Sequence, residues 1–193
     1  MNNNRLYNLL MVSVFIITGC STESYVLPQG GEPVQNEITV DAGIDETWNA
    51  LVSYASGTFF GIDNFEKSSG LMTLSFSSDA PYELVDCGNF NIDGLQKFNG
   101  NYAQWIWMRG GNLNGRMNII AQEETPGTTV LRIDTRYVIT YPTDSTVHTW
   151  SFDTNGRDTK EVYSLGNRRL RACMATGLAE KQVIEGVQAK LEM

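Results

Sequence analysis

Apolar and polar positions alternate over much of the chain, and the alternation predicts mostly strands. Over residues 129–141, Leu131, Ile133, Tyr137 and Ile139 point one way while Arg132, Asp134 and Arg136 point the other. One buried and one wet face is the pattern of an antiparallel sheet. Met72, Leu74 and Phe76 alternate with Thr73, Ser75 and Ser77 in the same manner. Phe60, Ile62 and Phe65 precede them, and Lys67-Ser68-Ser69-Gly70 intervenes, so the pair predicts a hairpin. Further strands are expected at Ile38 to Val40, at 102–108 (YAQWIWM), from Arg116 to Glu123 before a Pro126-Gly127 turn, and through His148, Trp150 and Phe152.

The period changes to that of a helix twice. Trp48, Leu51, Val52 and Ala55 form one stripe, with Asp45 placed as an N-cap and Gly57 as a stop. Near the end, Ala179, Val183, Ile184, Val187 and Leu191 form a longer stripe that Thr176 would cap. Residues 86–100, rich in Gly, Asn and Asp, predict a loop held by Cys87, and residues 154–172 are polar without a readable period. No internal repeat interrupts the order. The expected class is α+β: an antiparallel sheet of about five to seven strands packed against a C-terminal helix, with a short N-terminal helix.

The first twenty residues follow a different logic. A polar start carrying Arg5 gives way to an apolar run from Leu9 to Ile17, too short to span a bilayer but suited to a signal peptide. It ends in Ile17-Thr18-Gly19-Cys20. This resembles a bacterial lipobox, in which the cysteine thiol receives diacylglycerol and the chain is cut before it. The resemblance implies lipidation of Cys20, and Ser21 in the following position implies sorting to the outer membrane, facing the periplasm. Residues 21–35, with Pro28, Gly30, Gly31 and Pro33, predict a flexible tether reaching roughly 50 Å when extended. The expected layout is a signal peptide over 1–19, a lipidated cysteine and tether over 20–35, and a single domain over 36–193.

From Trp48 to Phe76 the chain shows a tryptophan-bearing helix, a Gly61-Ile62-Asp63 strand and a Ser69-Gly70-Leu71 turn into an amphipathic strand. This stretch of about 30 residues, with the element order, resembles the helix-grip domains of the lipoprotein C subunit of the outer-membrane β-barrel assembly machinery. The resemblance implies a helix-grip fold and carries no catalytic motif. The long loop bearing Cys87 departs from it.

Charge and chemistry narrow the functions. The net charge is −8, and loss of Arg5 with the leader makes it −9. Such a surface repels nucleic acid, so no nucleic-acid partner is expected. With Cys20 lipidated, Cys87 and Cys173 remain, an even pair that an oxidising compartment would join. A single histidine and no CxxC spacing argue against a metal, and no cofactor is expected. His148, in phase with Trp150 and Phe152, is expected to be a partly buried structural residue. The pairs Asp63/Glu66 and Glu123/Glu124 are expected on strand ends or turns as a solvated face, and Arg168, Arg169 and Arg171 on a solvated basic turn. The run from Arg109 to Gly115 lacks the lysine and context of a phosphate loop and is expected to connect two strands. Trp105 and Trp107, on one face of their predicted strand, are expected in the core if both faces of that strand are covered; if they line a groove under the terminal helix, they join Trp150 as candidate contacts for a ligand or partner. The expected function is therefore a non-catalytic envelope module that binds a protein partner. The alternative is a helix-grip binder of a lipid or other apolar molecule.

Overall fold

The computed structural model describes residues 22–30, 32–78, 80–94, 97–164 and 166–193. The leader segment and Cys20 lie outside them. In chain order the elements are β1 (Thr22–Val26), β2 (Glu37–Val40), α1 (Ile44–Ser56), β3 (Gly61–Glu66), β4 (Leu71–Ser78), α2 (Pro81–Leu84), β5 (Val85–Asp86) and β6 (Asn89–Asp93). There follow β7 (Phe98–Asn101), α3 (Tyr102–Trp107), β8 (Asn112–Thr125), β9 (Thr128–Pro142), β10 (Val147–Asp153), β11 (Arg157–Ser164), β12 (Asn167–Ala175) and α4 (Leu178–Leu191).

The main sheet is antiparallel, in the order β10-β9-β8-β4-β3, with β2 beside the first half of β9. Its frame is the long β8–β9 hairpin, turned at Gly127 with a positive φ of 86°. Leu131, Ile133, Tyr137 and Ile139 of β9 lie buried beside Met117 and Ile119 of β8 and Met72 and Leu74 of β4, as the alternation predicts. Helices α1 and α4 pack together over this face. The opposite face is wet, crossed by the pairs Arg132–Glu37 and Arg136–Asp153 and by a hydrogen bond from Thr73 Oγ1 to Asn118 Oδ1 at 3.0 Å. The α+β class with antiparallel sheets and a C-terminal helix is thus as the sequence predicts.

Both helices start near their expected positions but are capped differently. Gly43 occupies the N-cap of α1, and Asp45 and Glu46 instead place negative charge in its first turn, where the helix dipole favours it. Gly177, at φ 81°, precedes α4, and Thr176 sits one residue outside, donating its hydroxyl to the Glu83 carbonyl. Where α4 crosses α1, Gly186 lies directly under Tyr54; a Cβ there would come within 2.0 Å of the ring. An exposed helix glycine normally gains about 1 kcal/mol on becoming alanine. Here G186A is expected to lower stability by roughly 1–3 kcal/mol, because the added methyl must push the helices apart. Thermal unfolding checks it: Tm should fall, not rise.

Four segments differ from the sequence expectation. The stretch expected as a tether contains β1, whose five residues pair antiparallel with β6 from Thr22↔Asp93 to Val26↔Asn89. The chain after it is also fastened: the Pro28 carbonyl accepts from Arg157, and the Val34 N–H donates to Asn155 Oδ1 at 2.9 Å. The Cys87 loop holds β5, β6 and β7, and β1-β6-β7 forms a small sheet of its own. The YAQWIWM segment is helix α3, not a strand. Asn101 caps it by accepting the Ala103 N–H at 2.9 Å, and Gly110 and Gly111 end it by donating to the Trp107 and Ile106 carbonyls. Gly110-Gly111 therefore closes a helix rather than joining two strands, and β8 already begins at Asn112. The polar stretch 154–172 supplies β11 and most of β12, which pair from Arg157↔Met174 to Ser164↔Asn167.

Candidate functional site

The candidate residues from the sequence fall in separate places. Cys87 and Cys173 are joined in a disulfide, both sulfurs buried, bridging β12 to the residue after β5. Trp150 is fully buried and donates its Nε1–H to the Arg171 carbonyl at 3.2 Å. Trp105 packs against Phe90 and Phe98 at centroid distances of 5.0 and 5.1 Å, with the Arg109 guanidinium over its ring. Two residues along a helix are about 200° apart, so Trp107 faces elsewhere and is 42% exposed. The three tryptophans therefore line no common groove, and the expectation that Trp105 and Trp107 share a face is overturned by the helix. Each of the five principal clefts among the described residues is lined by other side chains.

Nor do the basic residues act together. Arg168 and Arg169 are exposed on β12, but Arg171 is not on a solvated turn. Its side chain is 2% exposed and ion-paired with Glu23 of β1, itself 3% exposed. The guanidinium also sits over the rings of Tyr25, Tyr102 and Phe90, at 4.3, 5.1 and 5.3 Å. Tyr25 extends this knot to the disulfide: its hydroxyl donates to the Cys87 carbonyl at 2.8 Å and accepts the Ala172 N–H at 3.0 Å. Burial pushes the Tyr25 and Tyr102 hydroxyls up, only partly offset by the Arg171 cation. They stay protonated, as donors. This is structural chemistry that fastens β1 into the domain.

A second buried charge lies under α4. Glu180 is fully buried, and its carboxylate accepts from Tyr137 Oη at 2.9 Å and from Thr154 Oγ1 at 2.8 Å. Its place in the first turn of α4 adds favourable dipole interaction. Burial and the adjacent Glu180 charge raise the Tyr137 hydroxyl well above the tyrosine range. An open cleft of about 450 Å³ reaches Thr154, while Glu180 and Tyr137 themselves are buried behind it.

His148 does meet carboxylates. It lines an open cleft of about 470 Å³ with Asp144, Glu161, Tyr163 and Arg168. Yet Glu161 is 3.4 Å from Arg168, both largely exposed, and the imidazole lies between the rings of Tyr141 and Trp150. A general base must sit within hydrogen-bond reach of its nucleophile and its orienting acid. Among the described residues, His148 has no such bond. Asp63 and Glu66 lie on the exposed strand β3 and accept from Ser75 and Ser68 at the surface, a solvated face as expected.

What the sequence did not single out is the free edge of the main sheet. β3 pairs only with β4. Ile62 and Phe65 are in register with Leu74 and Met72, so they continue the apolar face outward. At this edge, Phe59 is 63% and Phe65 61% exposed. Phe59 stacks on buried Phe60 at 4.5 Å, and Phe60 meets Phe76 at 5.6 Å, so the strip is rooted in the core. The ladder is irregular between Ile62 and Asn64, which limits indiscriminate edge pairing. Exposed apolar side chains spaced along a free strand edge suit a docking surface.

The chain matches no protein-family model, and comparison with curated proteins and with solved structures finds no significant match.

Proposed function

We propose that this protein is a bacterial envelope lipoprotein, held on the outer membrane by acyl chains on Cys20, whose non-catalytic domain binds another envelope protein through Phe59, Ile62 and Phe65. The observation that carries the binding function is the exposed aromatic edge of β3 beside a filled core. The lipobox sequence carries the anchor, and the buried disulfide suits an oxidising compartment. An antiparallel sheet under a C-terminal helix is also what kinship with helix-grip domains implies. The apolar-ligand reading has less support, since Trp150 is fully buried and the tryptophans line none of the five principal clefts among the described residues.

The test has two arms. Mass spectrometry of protein from native membranes is expected to find acyl chains on an N-terminal Cys20, and C20S is expected to release the protein from the membrane. A photo-crosslinker at Phe65 is expected to trap one envelope protein that the same probe at Asn114, on the polar face, does not. F59D/F65D should weaken that capture at least about tenfold, a loss of roughly 1.4 kcal/mol or more. Tm should fall only modestly, because both side chains are more than half exposed and Phe59 alone gives up a ring contact with the core. Equal capture from Phe65 and Asn114 would remove the β3 edge as the docking surface.

A further inference from the structure

Only Ser21 separates Cys20 from the first residue of β1. An extended chain spans at most about 3.6 Å per residue, so the Cys20 and Thr22 Cα atoms lie within about 7 Å of each other. Thr22 cannot swing freely. β1 is paired with β6 along its whole length, and Glu23, its second residue, is buried on Arg171. Acyl chains on Cys20 would therefore pull a fixed part of the folded domain to the lipid, with no tether between.

The surface brought there has its own character. Glu23, Tyr25, Phe90 and Ile92 of the small sheet point inward, so Thr22, Ser24, Asn91 and Asn99 point out. The charges beside them, Asp93 and Lys97, form an ion pair at 3.6 Å. In a chain of net charge −8, this face is electrically balanced and polar apart from Val26, which is 53% exposed at its end. It is suited to hydrogen-bonding lipid headgroups without the repulsion that the rest of the surface would suffer.

Taking Cys20 lipidation as given, we infer that the outer face of the β1-β6-β7 sheet lies on the bilayer and holds the domain in one orientation. The β3 edge is then on the far side. β12 and Arg171 connect the small sheet to β10, and four strand spacings, about 19 Å in all, separate β10 from β3. The aromatic strip is thus held at the sheet edge remote from the strands that join the small sheet.

The experiment uses the full acylated protein in phosphatidylethanolamine and phosphatidylglycerol vesicles doped with a nickel-chelating lipid. Nitroxide labels are placed through N99C on the small sheet and N64C on β3, both exposed positions. The label at 99 is expected to relax several-fold faster than the label at 64. A flexible Gly-Ser insertion between Ser21 and Thr22 should erase the difference. Equal relaxation at both sites, in protein whose acyl chains are confirmed by mass, overturns the orientation while leaving the anchor standing. A difference that survives the insertion overturns the short connection as its cause. Absence of acyl chains on Cys20 instead removes the anchor, and the orientation with it.

Discussion

Replacing Cys87 and Cys173 together with alanine is expected to lower the unfolding free energy by about 4–5 kcal/mol. The bridge closes a loop across 86 residues of sequence, and in the chain-entropy view it excludes most of the open conformations that such a loop would otherwise explore when unfolded. The native contacts it guards are few. β5 meets β12 in two register pairs, Met174↔Asp86 and Ala175↔Val85. The main sheet owes the bridge less, since β8 and β9 pair through more than ten positions without it. Urea unfolding of oxidised wild type against the double variant measures the difference, and the slope of the transition should rise because the unbridged chain exposes more surface. Native-state hydrogen exchange should show amides of β5 and β6 opening well before those of β8 and β9. A loss below about 1 kcal/mol with uniform exchange would mean that packing alone holds the two segments.

The parts of this fold that were legible in the sequence are those whose faces are purely apolar or purely polar. β4, β8 and β9 each bury an alternating, mainly apolar face, α1 and α4 each carry a mainly apolar stripe, and each lies where its period places it. The illegible parts bury polar groups or are set by capping. In TESYV the inward positions are Glu23 and Tyr25. A glutamate reads as solvated unless its cation is known, and that cation, Arg171, is 148 positions away. The same arginine hides β12, since Arg168-Arg169-Leu170-Arg171 shows no apolar alternation. In YAQWIWM, bulky aromatics suggest a strand, and a single side-chain bond from the Asn101 cap, with a glycine pair behind, decides for a helix.

The candidate site was illegible for a related reason. Ile62 and Phe65 were readable as strand residues, but whether a helix covers them depends on where α1 passes, which no local period encodes. Conversely, the tryptophans stood out as a group only because they were assumed to share a sheet. Trp105 and Trp150 belong to the core, and aromatic residues rich in buried area are core more often than contact.

Removing either partner of the Glu23–Arg171 pair is expected to cost about 3–5 kcal/mol, because the survivor would be left as an uncompensated charge in the protein interior. Both side chains are almost wholly buried. In E23A the guanidinium keeps its contacts with three rings and the Leu170 carbonyl, but no anion. In R171M the carboxylate keeps only the hydroxyl of Ser164. The double variant E23L/R171M leaves no charge behind, so it should be more stable than either single variant, within about 2 kcal/mol of wild type. Chemical unfolding of all four proteins gives the coupling energy, and additive losses would show that the pair is not acting as a pair. The single variant has a second consequence. Freeing β1 gives a linker from Cys20 to Pro28, where the Arg157 contact holds the chain, with an end-to-end distance on the order of 15 Å. Acylated E23A should therefore stay on the membrane yet lose its preferred orientation, reproducing from inside the fold what an inserted linker does from outside.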